Sequence, residues 1–451
     1  MKTPYGTVWK SRSWKSRSWK SRSWSHTAWG STLWLGLLLS LWVMPAEAQF
    51  QQYTPPGNFE EERESMDDLL SRSMKEARWR FGRAFFHPWV GLRDIAFVDP
   101  ALRTDSLEES DFTATIGVGV RGYVPIGPEM TLALHALPEY VWWKDLDERR
   151  RINGRYGAGL FGNLGRTGLE ISLSRTDDAS FVSREIEQKV NSEDLTAKVS
   201  AEVDVGAGFS LFAEGNVRQI RFAALEEDSA LRGLDSLERD EDLLRAGVRV
   251  LLPRGLRLGL GVESSQVDFE QNALRSNSGT SPLLQVDFDS GRVALALNLA
   301  FRDLEPEPGS QFVPYDDVTG SFRTVWRVGG NTQLQLFGDR NLVYSTQDRW
   351  AYFEDTGIGV GVKTSLSSRL SLRVFAMDGS NDYVNFEPTA PQRVDDFEAY
   401  GGEVRIEIDR FTLTLGAAVS DYTSNFEEFD RSTTTIRSGL ALGFPSGSPW
   451  G

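Results

Sequence analysis

Charged side chains alternate with apolar ones in many segments of the sequence, and this pattern is the main candidate for a functional site. In the segment 194–205, Lys198, Glu202 and Asp204 fall on one face of an extended strand and apolar residues fall on the other. Such charges set ion preference if they line a water-filled pore. If these charges instead pair across neighbouring strands, they stabilise the sheet. The candidates are Lys198, Arg218, Arg245, Arg249, Arg257, Arg292, Arg302, Arg323, Arg327, Arg373, Arg405 and Arg437, with Glu202, Asp204, Glu214, Glu263, Asp339, Glu403, Glu407 and Asp409.

Histidine is the residue that most often serves as a general base near neutral pH, and the chain holds only three, at positions 26, 87 and 135. His135 lies in "TLALHALPEY" on the face opposite Leu132 and Leu134, so it shares the face of the charges. No serine or carboxylate motif accompanies it. We therefore expect no enzymatic activity, no cofactor and no metal site, and we interpret His135 as part of a polar network.

The segment "GVGVRG" matches the dinucleotide-binding pattern G-x-G-x-x-G with Gly117, Gly119 and Gly122. That pattern requires a strand that leads into a helix. Here it lies within a strand and leads to the turn "VPIGPE", so we interpret the glycines as relief of crowding in a curved sheet.

The charge of the chain is unevenly distributed. The repeat "KSRSWKSRSWKSRSW" interleaves cations with aromatic rings, as single-strand nucleic-acid binders do. Residues 1–48 carry a net charge of +6, however, while the remaining residues carry −21 of the total of −15. An acidic body repels a polyanion, so we expect no nucleic-acid partner. The absence of cysteine excludes disulfides and thiolate metal sites.

The first 48 residues have the organisation of a secretory signal peptide. The basic repeat is followed by the apolar run "LWLGLLLSLWVM" and by "AEA", a small-x-small motif. We expect cleavage between Ala48 and Gln49, so signal peptidase would be a partner during export. The apolar run is too short to span a bilayer as a helix, so a retained anchor is the weaker alternative.

Residues 85–444 show period-two alternation in segments separated by connections of two lengths. Short turns such as "PRG" and "DSG" alternate with long acidic loops such as "EEDSALRGLDSLERDED". This pattern predicts an all-β, antiparallel up-and-down meander of 18 strands, with 16 as the alternative. Two of the predicted strands are 169–182 and 194–205.

The outer face of such a sheet is rich in Leu, Val and Ile, and no second layer of sequence remains to cover it. A transmembrane β-barrel satisfies every backbone group and leaves no open edge, so lipid is the environment that fits. Aromatic residues near strand ends suggest interfacial girdles. The predicted girdle residues are Tyr140, Trp142, Trp143, Tyr344, Trp350, Phe209 and Phe411.

Residues 49–84 contain a Pro-bearing linker and a predicted amphipathic helix over 59–79. Met66, Leu69, Leu70 and Met74 share one face of this helix. The helix would plug the lumen, lie beneath it in the periplasm, or dock loosely on the rim as a solvated helix.

The chain resembles the porin-like outer-membrane β-barrels of Gram-negative bacteria, and more loosely the β-barrel porin type 2 family. The resemblance lies in "ARWRFGRAFFHPWVGLRDIAFVD", "YVWWKDLDERRRINGRYGAGL" and the final strand "TTTIRSGLALGF". It implies an outer-membrane location, with both termini periplasmic because an even strand count returns them to the short-turn side.

The resemblance also implies partners. The last strand is similar to the signal read by the barrel-assembly machinery. Residues 445–451 extend beyond it, so either Phe444 serves as the terminal aromatic from an internal position or Trp450 takes that role. Outer-membrane lipid and lipopolysaccharide would surround the barrel, and a homo-oligomer is compatible with it.

Three functions remain open at this stage. The first is a porin-like channel for passive diffusion of small hydrophilic solutes, since an 18-strand barrel is too wide for side chains to fill. The second is a structural or surface-interaction barrel closed by its loops. The third is a conduit for export of a surface polysaccharide.

Overall fold

The computed structural model describes residues 66–103, 108–223, 233–408 and 411–442. The predicted cleavage site, Asp409 and Phe444 lie outside these residues. The described chain begins with helix α1 (Met66–Glu76) and the short strand β1 (Trp79–Phe81). No helix in the described part of the chain is long and apolar enough to cross a membrane.

Eighteen long strands follow β1, each antiparallel to its neighbours. They are β2 (Ala84–Arg103), β3 (Glu108–Ile126), β4 (Met130–Trp143), β5 (Arg151–Leu164), β6 (Thr167–Ser183), β7 (Ile186–Gly206), β8 (Phe209–Ala223), β9 (Arg239–Leu251), β10 (Leu256–Phe269), β11 (Asn277–Asp289), β12 (Val293–Pro306), β13 (Tyr315–Val328), β14 (Thr332–Tyr344), β15 (Trp350–Ser365), β16 (Leu370–Asn385), β17 (Val394–Ile408), β18 (Phe411–Ser424) and β19 (Arg431–Leu442).

Each of these strands pairs with the next, and β19 pairs with β2, from Thr434 opposite Asp99 to Leu442 opposite Val90. The sheet is therefore a closed up-and-down barrel, and the strand count of 18 predicted from the sequence is confirmed. Closure pairs the edge strands with each other and removes the open edges. We call the end with connections such as 207–208 the short-turn end, and the opposite end the long-loop end.

The outer surface carries an apolar band about one bilayer core in height. On β12, every second residue from Val293 to Phe301 is apolar and faces outward, and Phe301 is exposed. A tilted strand needs about 9–11 residues to cross the hydrocarbon core, which matches this length. The outer face of β10 repeats the pattern, with Leu260 and Val262 exposed.

Toward the long-loop end, the outward-facing residues become polar and the inward-facing residues become apolar. On β12, the outward positions beyond the band are Asp303 and Glu305, while the inward Leu304 between them is fully buried. On β10, Asp268 is exposed, while Val267 and Phe269 are buried inside the barrel. The wall therefore extends beyond the apolar band, and the extension encloses an apolar core of its own.

The predicted girdle residues divide between the two faces. The outward-facing ones, at the borders of the apolar band, are Tyr140, Trp142, Phe209 and Phe411. Trp143, Tyr344 and Trp350 are buried, so the girdle prediction is wrong for these three. Alternation puts the adjacent Trp142 and Trp143 on opposite faces, and Trp143 packs against Val141 and Leu146. Tyr344 and Trp350 belong to a hairpin that folds into the lumen.

Helix α1 ends at Glu76 and not at the predicted 79, because the chain then forms a hairpin. Trp79–Phe81 pairs with the start of β2 across Gly82, whose φ of +61° suits glycine. The predicted residues before Met66 lie outside the described part of the chain.

We predict that a charge in the centre of the apolar band destabilises the barrel much more than the same charge beyond it. Leu260→Arg places a cation at mid-band and should lower the free energy of unfolding by about 2–4 kcal/mol, against about 0–1 kcal/mol for Gln266→Arg on the same strand. Denaturant titration of the protein in lipid vesicles measures both. Equal losses for the two variants would place the apolar band elsewhere.

Candidate functional site

The inner wall of the barrel gathers the charged residues that the sequence singles out. Strand alternation positions all of the described candidates except Arg292 on the inward face. These are Lys198, Arg218, Arg245, Arg249, Arg257, Arg302, Arg323, Arg327, Arg373, Arg405, Arg437, Glu202, Asp204, Glu214, Glu263, Asp339, Glu403 and Glu407. Arg292 lies in the turn before β12 and is exposed, so its assignment to a strand is wrong.

Six of the inward side chains alternate in sign along the wall from β6 to β12, and we call them the charge ladder. Lys198 Nζ lies 3.0 Å from Glu170 and 3.8 Å from Glu214, and Arg245 lies 3.3 Å from Glu214. Arg245 also donates to Glu263 at 2.6 Å, and Arg302 binds the same carboxylate from the other side. The ladder is Glu170, Lys198, Glu214, Arg245, Glu263 and Arg302.

The charge ladder acts first as a structural element of the wall. Glu263 is fully buried between two guanidinium groups, which compensate its charge where water cannot. Arg249 pairs with Glu202, and Arg437 lies 3.5 Å from Glu403 in the same manner. Cross-strand pairing thus accounts for much of the predicted constellation, while residues near the short-turn end such as Arg257 stay exposed.

A narrow cavity of about 260 Å³ follows the inner wall beside the ladder. Its lining includes Glu170, Glu202, Glu214 and Arg249, together with Phe161 and Phe212. The cavity is one part of the lumen where charged side chains remain accessible at the wall.

The hairpin of β6 and β7 crosses the lumen. The sequence predicts strands that end at 182 and restart at 194, but the structure continues both to a two-residue turn of Arg184 and Glu185. The Arg184 side chain lies 3.1 Å from Asp355 on β15 and 3.6 Å from Asp339 on β14. Since β15 is half-way round an 18-strand ring from β6, the turn reaches the opposite wall.

The hairpin of β14 and β15 folds inward to meet this turn. Pairing between β13 and β14 stops at Gly320 and Arg340, although both strands continue beyond that point. Tyr344 then packs against Phe269 of β10 with ring centroids 4.7 Å apart, and its hydroxyl lies 2.7 Å from the Asn277 side chain of β11. The outer face of the hairpin therefore rests on the inner faces of β10 to β13.

Polar contacts fix the connection between β14 and β15 inside the barrel. Arg275 donates to the carbonyls of Ser345, Gln347 and Trp350. The pKa of the Arg275 guanidinium lies below its usual value, because burial lowers it by more than the nearby Glu185 carboxylate raises it. Glu185 in turn accepts hydrogen bonds from the Ser345 hydroxyl at 2.8 Å and from the Thr346 backbone N–H at 2.7 Å.

A second buried cluster completes the closure near β16 to β19. Arg393 pairs with Asp395 at 2.5 Å, and Arg431 lies 3.4 Å from the same carboxylate. The Arg393 guanidinium stacks on Phe429 at 3.6 Å and on Tyr383 at 4.1 Å. Arg431 also donates to the Arg184 carbonyl at 2.6 Å, which joins this cluster to the crossing turn.

Helix α1 occupies the lumen at the short-turn end. Leu70 is buried against Tyr123, Ala133 and Phe161, which are inward-facing residues of β3, β4 and β5. The His87 Nε2 lies 2.5 Å from the Ser73 carbonyl of the helix. The described helix therefore packs against the inner face of the wall.

The charged residues of the closure are absent from the sequence-based candidates, apart from Asp339. Arg184, Asp355, Arg393 and Asp395 meet only because two hairpins fold inward, and period-two alternation carries no information on loop destinations. His135 faces the lumen as predicted and is opposite Arg121 on β3. The glycines of "GVGVRG" lie within β3, as predicted.

We predict that removing the Glu263 charge destabilises the wall strongly. Glu263→Gln leaves the Arg245 and Arg302 guanidinium groups facing each other without their shared carboxylate, and the loss of a buried partner costs about 3–5 kcal/mol. Glu202→Gln is the matched control, because its pair with Arg249 is partly exposed and should cost about 1 kcal/mol or less. Unfolding titrations that give equal losses would contradict the role of the ladder.

Comparison with known proteins gives structural similarity without sequence similarity. No protein-family model and no curated protein matches the chain. Acinetobacter baumannii OccAB3 is similar at 9% identity and a TM-score of 0.48, with 80% of this chain and 99% of that chain covered. Pseudomonas aeruginosa OccK2 (OpdF) is similar at 11% identity and 0.48, covering 80% and 97%. A BenF-like porin from Pseudomonas fluorescens Pf-5 is similar at 12% identity and 0.48, covering 80% and 99%.

Proposed function

We propose that the protein is a channel of the Gram-negative outer membrane through which small hydrophilic solutes diffuse passively. The observation that carries this proposal is the closed barrel, whose outer band is apolar and whose inner wall is charged. An apolar band of this height fits the hydrocarbon core. A polar interior of 18 strands is wide enough to hold water unless other segments fill it.

In the described conformation the passage is narrow. Helix α1 occupies one side of the short-turn end, and the turn of Arg184 and Glu185 crosses the long-loop half. A solute that enters would meet the charged walls at close range, so the wall charges would discriminate among solutes. Exposed inner-face residues of the short-turn half, such as Arg257, are the side chains we expect to contribute most.

The orientation we propose places the short-turn end in the periplasm and the long acidic loops outside the cell. This agrees with the usual arrangement of bacterial barrels, in which periplasmic turns are short. Lipopolysaccharide and the barrel-assembly machinery would then be partners of the outer surface and of the last strand.

A structural barrel without transport is the second candidate, and the closure in the lumen favours it. Two hairpins and a buried arginine cluster fill the long-loop half, as a permanently closed barrel requires. Nothing in this arrangement requires that the hairpins move.

Conductance in a planar lipid bilayer distinguishes the two candidates. We expect stepwise single-channel openings from the purified protein. Arg257→Glu should shift the preference toward cations by about twofold in permeability ratio, because it reverses a charge on the inner face. Arg254→Glu, three residues away in the turn before β10, is the matched control and should leave selectivity unchanged. The complete absence of openings at every voltage would overturn the channel proposal and support the structural barrel.

A further inference from the structure

The side chain of Arg184 occupies a cage on the opposite wall of the barrel. Its Nη1 lies 3.1 Å from Asp355, its Nη2 lies 3.6 Å from Asp339, and its guanidinium carbon lies 4.1 Å from the centre of the Phe397 ring. The Met377 sulfur lies 4.0 Å from Nη2. We call Asp339, Asp355, Met377 and Phe397 the guanidinium cage.

The cage is built entirely from the wall and not from the hairpin that carries Arg184. Its four members lie on β14, β15, β16 and β17, which are paired in regular register. Gly357 makes room for the cation, since a Cβ at this position would lie 2.9 Å from Arg184 Nη1 and 2.3 Å from the Met377 methyl carbon. Arg184 therefore enters a site that the wall provides, as a ligand would.

The cage can bind more donors than Arg184 supplies. Two carboxyl groups face a single guanidinium, so the site offers more acceptor oxygens than Arg184 uses. Asn381, directly opposite Asp355 on β16, is fully buried, and neither atom of its side-chain amide has a hydrogen-bond partner among the described residues. Buried polar atoms are normally paired, so the free amide marks capacity for a further polar group.

The chemistry of the cage selects planar organic cations. A guanidinium stacks on an aromatic face and donates several hydrogen bonds in one plane, whereas an ammonium is a compact and more strongly hydrated charge. An anion would meet two carboxylates at short range and be repelled. A neutral isostere of guanidinium would fit the space without compensating the buried charges.

We propose that the guanidinium cage is a binding site for guanidinium-bearing solutes, and that Arg184 is a tethered competitor that such solutes displace. Without Arg184, the buried Asp355 and the partly exposed Asp339 would lose their cation, so the Arg184 side chain leaves when another cation takes its place. Displacement removes the ionic contact between the crossing turn and the opposite wall, which is one of the contacts that hold the turn in place. The binding part of this proposal stands without transport, while the opening part rests on the proposed channel function.

Equilibrium binding of methylguanidinium to the folded protein in detergent tests the site directly. A free ligand must compete with Arg184, whose effective concentration on a short tether is about millimolar. We expect Arg184→Ala to bind methylguanidinium at least about tenfold more tightly than the unchanged protein. N-methylurea, which has a similar shape without the charge, should not bind. Isothermal titration calorimetry measures both ligands.

Two further variants complete the test. Arg184→Ala combined with Asp355→Asn should lose the gained affinity, because one of the two cage carboxylates is then neutral. Arg150→Ala is the control, since it removes an arginine whose ion pair with Asp147 is largely exposed, leaves no buried carboxylate without its cation and should leave methylguanidinium affinity unchanged. Heat-modifiable gel mobility establishes that each variant is folded, and Arg184→Gln replaces Arg184→Ala if the latter does not fold.

The possible results distinguish a failure of the binding-site proposal from a failure of the channel proposal. Equal affinity in Arg184→Ala and the unchanged protein, or affinity that survives Asp355→Asn, would overturn the site. If methylguanidinium binds as expected, bilayer currents then test displacement, and we expect it to raise the open fraction of the unchanged protein but not of Arg184→Ala. Binding without any current in either protein would contradict the channel function and leave the site in place.

Discussion

The constraint on which the structure depends is that no backbone polar group can face lipid without a hydrogen-bond partner. A sheet meets this constraint only when its first and last strands pair, as β2 and β19 do here. Closure fixes the alternation of faces, because every strand must turn its apolar residues toward the lipid. It also fixes the interior, since 18 strands enclose more space than inward side chains of the wall can fill. The charge ladder, the inward hairpins and helix α1 are three ways in which the chain occupies that space.

The exchange of polarity beyond the apolar band explains how the hairpins are held. Where the wall leaves the lipid, its outward residues become acidic, and its inward residues become apolar and can bury other segments. Val267, Leu304 and Tyr315 provide such an inner surface, and the β14–β15 hairpin packs on it through Leu342, Tyr344 and Tyr352. The hairpin can reach this surface because β14 separates from β13 beyond Gly320 and Arg340. Because β14 separates from β13, the end of the β14–β15 hairpin packs inside the lumen and does not continue the wall.

The sequence predicts the wall far better than it predicts the interior. Period-two alternation determines the face of each residue, so the strand number and the inward position of residues such as Arg245 and Glu263 follow from local pattern alone. The same rule fails at Tyr344 and Trp350, which lie near strand ends as girdle residues do but belong to a hairpin that bends inward. Alternation also does not predict the contacts of Arg184. The residues that a turn meets on the opposite wall depend on the three-dimensional path of the chain and not on the pattern within one strand. Alternation describes a strand within the wall, so it gives no information where the chain bends away from the wall, as at Tyr344, Trp350 and Arg184.

The use of charged groups to close the lumen has a physical consequence. Apolar segments packed in the lumen would be stabilised by every buried contact and would have no specific means of release. Buried ion pairs such as Arg184 with Asp355 contribute little net stability, because the desolvation of both charges offsets most of their attraction. Removing one partner nevertheless forces the other to find a new counter-charge or to change its protonation state. The crossing turn, whose Arg184 is held by such a pair, is thus insensitive to neutral solutes and sensitive to a cation of matching shape.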